Sequence, residues 1–245
     1  MMPILQVGPA AIPTAALVLL IGFWIAWSLA ERTAKVEGVS ANQISNLILI
    51  VFASGIIGAR IGYAVNHPIA FSQNILSLFS LRPSMLDIGS GLLIAFMAGV
   101  IFLNRTRLPI WSVLDALTPP AGIMAMAISL ANFASGSTYG IPTTVPWSIT
   151  LWGADRHPVQ LYAFVLFLVI FLLTYPWKNQ PSLSSGVRFC TFTAFTSFAI
   201  IIADTFRGDS HLLIGNLRTS HVLALSMLVA SVIFLIRYRK KENDD

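Results

Sequence analysis

Between Asn132 and Tyr162 the chain reads NFASGSTYGIPTTVPWSITLWGADRHPVQLY, the largest polar interruption in an otherwise apolar sequence. It gathers Asn132, Gly136, Gly140, three prolines and the cluster Asp155-Arg156-His157, then Gln160 and Tyr162 at the head of the run LYAFVLFLVIFLL. These side chains can bind and orient a polar ligand. A guanidinium suits an anion, an amide and a phenol offer hydrogen bonds, and an imidazole exchanges protons near neutral pH. A bare connector between apolar segments needs none of them. Arg60 is a further candidate, set inside the apolar run that ends GIIGARIGYAV. A guanidinium in a membrane span costs at least ~2.5 kcal/mol at the centre unless it is paired, snorkels or faces a polar cavity. Two readings follow for Arg60: snorkelling from the outer end of its span, or facing a cavity that holds an anionic group.

The elements that must position these residues are helices in a bilayer. The 245 residues are 56% hydrophobic and 10% charged, against roughly 25% charged in soluble domains, and mean hydropathy is +0.78. Apolar stretches of about 18 residues or more, enough to cross a ~30 Å hydrocarbon core as helices, recur along the chain, and a helix satisfies its own backbone there. We expect an all-α polytopic membrane protein, one integral membrane domain over residues 1–245. Its seven transmembrane helices fall at roughly 14–30, 44–66, 86–103, 110–135, 160–177, 189–204 and 219–236. Cys190, the sole cysteine, excludes an internal disulfide and reads as a small packing residue.

The net charge of +5 is distributed as an orientation signal, not as a nucleic-acid surface. With the N-terminus outside and the C-terminus cytoplasmic, the inside segments hold Arg32, Lys35, Arg105, Arg107, Lys178, Arg188, Arg237, Arg239, Lys240 and Lys241. The outside segments hold only Arg82, Arg156, Arg207 and Arg218, as the positive-inside rule requires. The first fifteen residues lack the basic n-region of a cleavable signal and read as an outside tail. The polar stretch and all four histidines, His67, His157, His211 and His221, then share the outer side. Residues 68–81 are expected to lie along the outer interface as an amphipathic helix. Gly58 and Gly62 permit close helix approach, and so do Gly89 and Gly91 at the start of the third span. Pro119-Pro120 are expected to break or kink the fourth, and Asp115 to sit at its inner interface. No histidine spacing marks a metal site, and no cofactor is implied.

Five motifs, GARIGY at 58–63, LANFASGSTYG at 130–140, VPW at 145–147, RHPVQLY at 156–162 and DTFRGD at 204–209, resemble in order and spacing those of the prolipoprotein diacylglyceryl transferases. These are seven-span bacterial enzymes that move diacylglycerol from phosphatidylglycerol onto a lipobox cysteine. The resemblance implies a bacterial cytoplasmic-membrane protein with its site facing outward. Its partners would be phosphatidylglycerol or a similar anionic lipid and the signal peptide of a prolipoprotein. By the same resemblance Arg207, Asn132, Asp204 and His157 are the catalytic candidates; the family's own candidates for the base are missing here, and His157, His211 or His221 could act as a substitute. Arg60, Gly140, Gly136, Arg156, Gln160 and Tyr162 are the substrate-binding candidates. Several family positions differ here: Gly89 and Ser129 stand for a histidine and an arginine, Ser137 and Ala163 for acids, Ile200 for an arginine, and Asp204 for a glutamate. The alternative is a family member without transfer activity that binds lipid or lipoprotein precursor.

Overall fold

A computed structural model describes residues 4–7, 10–68, 85–178, 180–181, 185–209 and 218–244, with side chains of the last helix described to Arg237. The expected interfacial helix over 68–81, apart from its first residue, and the candidate His211 lie outside these residues. A short antiparallel ribbon, β1 (Ile4–Val7) with β2 (Ala10–Pro13), precedes the first helix. Seven helices follow among the described residues: α1 (Thr14–Val36), α2 (Ala41–Asn66), α3 (Ile88–Thr106), α4 (Ile110–Ser135), α5 (Val159–Thr174), α6 (Val187–Thr205) and α7 (Thr219–Asp244). Six of them are long and apolar enough to cross a membrane. The exception, α5, is apolar over most of its length but has 16 residues, about 24 Å at ~1.5 Å per residue. It ends where Tyr175 turns extended before Pro176.

The central element is α4, against which α1, α5 and α6 pack; α2 bridges α1 and α3, and α7 leans on α6. Large side chains such as Leu20, Trp24, Phe96 and Leu173 point outward, the inversion expected when lipid is the solvent. Small residues set the close approaches: a Cβ on Gly91 of α3 would meet Gly55 O of α2 at 2.9 Å. Away from the polar stretch, Ala30, Ala34, Ile44, Leu47, Val113 and Ala116 form one core joining α1, α2 and α4.

Two expectations are refined in α4. Of the break or kink expected at Pro119 and Pro120, the break does not occur, since the helix runs unbroken from Ile110 to Ser135 with both prolines inside. Pro120 has no N–H for the carbonyl four residues back, that of Ala116, and Thr33 Oγ1 of α1 donates to this oxygen at 2.6 Å. A neighbouring hydroxyl thus replaces the missing donor. Asp115, near the start of α4, is more than an interfacial acid: it is fully buried within the protein and accepts from Gly186 N at 2.6 Å and Phe189 N at 2.7 Å. It caps the N-terminus of α6 from another helix. Beside it, Arg188 of α6 pairs with Glu37 at the end of α1.

Candidate active site

The polar stretch folds because Gly136 ends α4 in the left-handed conformation, at φ 73°, and Ser137 N returns to Asn132 O at 3.0 Å. Farther on, β3 (Ile149–Leu151) and β4 (Ala154–Arg156) pair across Trp152 and Gly153, whose φ values of 55° and 75° belong to a tight hairpin turn. Residues 139–143 run between this ribbon and the chain leaving α6. Thr143 N donates to Asp155 O at 2.9 Å, His157 N to Ile141 O at 3.2 Å, Ile141 N to Phe206 O at 2.9 Å and Gly208 N to Tyr139 O at 2.8 Å. The result is a backbone ladder that ties together the end of α4, the start of α5 and the end of α6. Gly140 pairs with Arg207 in it. A Cβ at Gly140 would stand 2.9 Å from His157 Cβ and nearer still to the His157 carbonyl, so the site requires glycine.

Under the ladder, α4, α5 and α6 enclose a cavity of about 380 Å³. Its depth is largely apolar, walled by Ala121, Ala125, Ile128, Ala163, Phe167, Phe192, Ala199 and Ile200 with Ser129 and Thr196 among them, while Asn132, Thr138, Gln160, Asp204, Arg207 and Ser220 ring the end nearest the ladder. Asp204, with its side chain 4% exposed, organises that end. Ser220 Oγ donates to its Oδ2 at 2.7 Å, and His221 Nε2, Arg218 Nη1 and Arg207 Nη1 stand 3.4, 3.6 and 3.8 Å from its oxygens. Arg207 is 31% exposed and donates through Nε to Asp209 Oδ1 at 2.5 Å. Its Nη nitrogens have no hydrogen bond among the described residues. Gln160, 2% exposed, donates to Ser137 O at 2.7 Å, and its Oε1 is buried without a partner among the described residues. A buried orphan acceptor costs about 1–3 kcal/mol unless something donates to it. The cavity therefore offers an anion donor and a hydroxyl acceptor at one end of an apolar slot.

Of the residues singled out from sequence, the structure brings Asn132, Gln160, Asp204 and Arg207 to this cavity. His157 and Tyr162 belong to an aromatic cluster beside it. Tyr162 OH accepts from Trp147 Nε1 at 2.7 Å and lies 3.2 Å from His157 Nδ1, and both rings pack on Phe206, the neighbour of Arg207. Arg156 is engaged by the loop, donating from Nε to Leu151 O at 3.0 Å and from Nη1 to Gly140 O at 3.1 Å, with Tyr139 under its guanidinium. Gly136 and Gly140 shape backbone. Arg60 is on α2, buried, with Nη1 donating to Met85 O at 2.8 Å, and is absent from the cavity lining. Of the positions that differ from the family, Ser129, Ala163 and Ile200 line the cavity, whereas Gly89 is exposed in the first turn of α3. Sequence reasoning missed the grouping of Arg218, Ser220 and His221 around Asp204. Its one signal was the polar run Arg218-Thr219-Ser220-His221 at the head of an apolar helix.

An apolar slot opening among membrane-length helices, with an arginine and a buried carboxylate at one end, defines a membrane protein built to hold a charged amphiphile. The family model described as prolipoprotein diacylglyceryl transferase matches residues 3–237, and the chain belongs to this family. Similar proteins named phosphatidylglycerol–prolipoprotein diacylglyceryl transferase include one from Finegoldia magna, 27% identical over 92% of this chain and 90% of its own length. One from Clostridium botulinum is 27% identical over 97% of this chain and 96% of its own. One from Solidesulfovibrio magneticus is 29% identical over 97% of this chain and 94% of its own.

Proposed function

We propose that the chain transfers the diacylglyceryl group of phosphatidylglycerol to the cysteine thiol of a prolipoprotein. The observation that carries this reading is the pairing, in one cavity, of the Arg207 guanidinium edge with the orphan acceptor of Gln160 above an apolar slot. A phosphate suits the first, a glycerol hydroxyl the second, and an acyl chain the third. Asn132, at the same end, orients the head group. Arg207 accepts the charge that builds on phosphate as the glyceryl carbon leaves it, the step at which fixed donors contribute most. Membership of the family over nearly the whole chain, and relatives matched over nine-tenths of their lengths, favour transfer over lipid binding alone.

The test is mass spectrometry of a lipobox peptide incubated with the purified protein and phosphatidylglycerol. A gain of one diacylglyceryl group is expected, and its absence under conditions that keep the protein folded would overturn the proposal. The site is read as facing outward in the bacterial cytoplasmic membrane, from the distribution of basic residues. Cysteines introduced at Ser137 and Asn243 should label from outside and inside respectively; the reverse pattern would overturn the orientation.

A further inference from the structure

His157, the histidine of the polar stretch, is engaged with Tyr162 and does not line the cavity. Another histidine, likewise outside the cavity lining, contacts a residue that lines it. His221, in the first turn of α7, brings Nε2 to 3.4 Å from Asp204 Oδ2, within ion-pair distance but without hydrogen-bond geometry; that nitrogen is buried while the side chain as a whole is 33% exposed. With Nε2 turned to the carboxylate, Nδ1 is the nitrogen left for an incoming group. Asp204 and Ser220 line the lipid cavity, so the imidazole sits across one carboxylate from it. From His221 an exposed face of α7 continues through Val222, Leu225, Ser226, Val229 and Ala230. Ser226 and Ala230, four residues apart, leave room for another helix. A membrane-anchored peptide lying along this face would end at His221.

Building on the transferase reading, we propose that His221 is the base that activates the acceptor cysteine, with Asp204 as the positioning residue that fixes its tautomer. The thiol proton passes to Nδ1. The sulfur electron pair forms the C–S bond to the glyceryl carbon as that carbon's bond to the phosphate oxygen breaks. The bonding pair leaves on that oxygen, and the imidazolium proton goes to the departing glycerol phosphate. The described charged groups around the ring are Asp204 of α6, Arg207 behind it and Arg218 just before α7. Between pH 6.5 and 9.5 a cysteine thiol of the acceptor peptide, with a reference value of about 8.5, passes from mostly protonated to mostly ionised.

The experiment compares transfer by the full-length wild type, His221→Ala and His221→Gln across that window, with a lipobox peptide and phosphatidylglycerol in micelles. A thiol of pKa ~8.5 is only about 3% ionised at pH 7, so a base gains at most about 30-fold there. The variants should approach that loss at pH 7 and come within about twofold of wild type by pH ~9.5, where the thiol ionises alone. A loss of equal size at every pH, the mark of a merely structural role, would overturn the proposal, and so would no loss at pH 7. His221→Gln keeps a donor toward Asp204 and carries the comparison if His221→Ala does not fold. A wild type inactive at every pH would instead refute the transferase reading.

Discussion

Gly140→Ala tests whether the ladder positions Arg207. The added methyl would stand 2.9 Å from His157 Cβ and 3.0 Å from its carbonyl carbon, and the obstruction is partly backbone, which cannot rotate away. Residues 139–141 must therefore move off the His157 strand. At risk are Ile141 N to Phe206 O at 2.9 Å, Gly208 N to Tyr139 O at 2.8 Å and His157 N to Ile141 O at 3.2 Å, together with Arg156 Nη1 to Gly140 O at 3.1 Å. Overpacking plus weakened backbone hydrogen bonds amounts to about 2–4 kcal/mol of local stability. The helices do not depend on this loop, so helical circular dichroism should persist. Arg207 sits on the far strand, and a shift near ~1 Å there can cost about 100-fold in rate. Transfer to the lipobox peptide is the assay, read beside circular dichroism. A variant within threefold of wild type would refute the claim that close backbone approach at Gly140 holds the site.

Arg156→Lys should lower the melting temperature of the detergent-solubilised protein and reduce transfer, since an ammonium cannot reach both Leu151 O and Gly140 O; a loss of about 1–3 kcal/mol is expected, and an unchanged melt would refute it. Asp115→Ala leaves the N–H groups of Gly186 and Phe189 buried and unpaired, and should cost about 2–5 kcal/mol in thermal or denaturant unfolding, with Asp115→Asn less damaging because it keeps one acceptor. At the mouth of α3, the Ser90 hydroxyl and then its N–H hold the Asp87 carboxyl below the usual carboxylate range. A lowered folded value means that this capping contribution is complete above the unfolded value of about 3.9 and is lost as pH falls through the lower one. Ser90→Ala should therefore make the first turn of α3 fray at higher pH, nearer 4, by amide exchange; an unmoved acid limb would count against the cap.

The helices were legible because length and hydropathy decide them, and the starts of α4, α6 and α7 fall within two residues of the sequence reading. What misled was local chemistry that a distant residue completes. Pro119 and Pro120 signal a break to any reading of α4 alone, but the repair comes from Thr33 on α1. Asp115 resembles an interfacial acid until the N-terminus of α6, some seventy residues on, supplies two donors to it. The roles in the polar stretch were hidden for the same reason: Arg156, His157 and Tyr162 have the residue types of a binding site, yet Arg156 donates to the loop backbone and His157 and Tyr162 meet each other and Trp147. The ladder that needs them pairs residues too far apart for any spacing rule to show.

The three arginines matched to the family's motifs make the point most sharply. Composition gives them equal standing, and each alone would suit a phosphate. Arg60 donates to Met85 O from a buried position on α2, and Arg156 divides its donors between two loop carbonyls. Arg207 alone among them lines the cavity, tethered through Nε to Asp209 with its outer edge turned from the tether. A guanidinium committed to backbone carbonyls cannot also follow the charge that moves from phosphodiester to leaving group, whereas one hydrogen-bonded through Nε, with Asp204 3.8 Å from Nη1, keeps Nη donors for the ligand. With Ser129, Ala163 and Ile200 contributing no charge to the same walls, the proposed function assigns the work of neutralising that phosphate to Arg207. The Asp204 cluster and the ladder are then best understood as the means by which one side chain is held at the correct place.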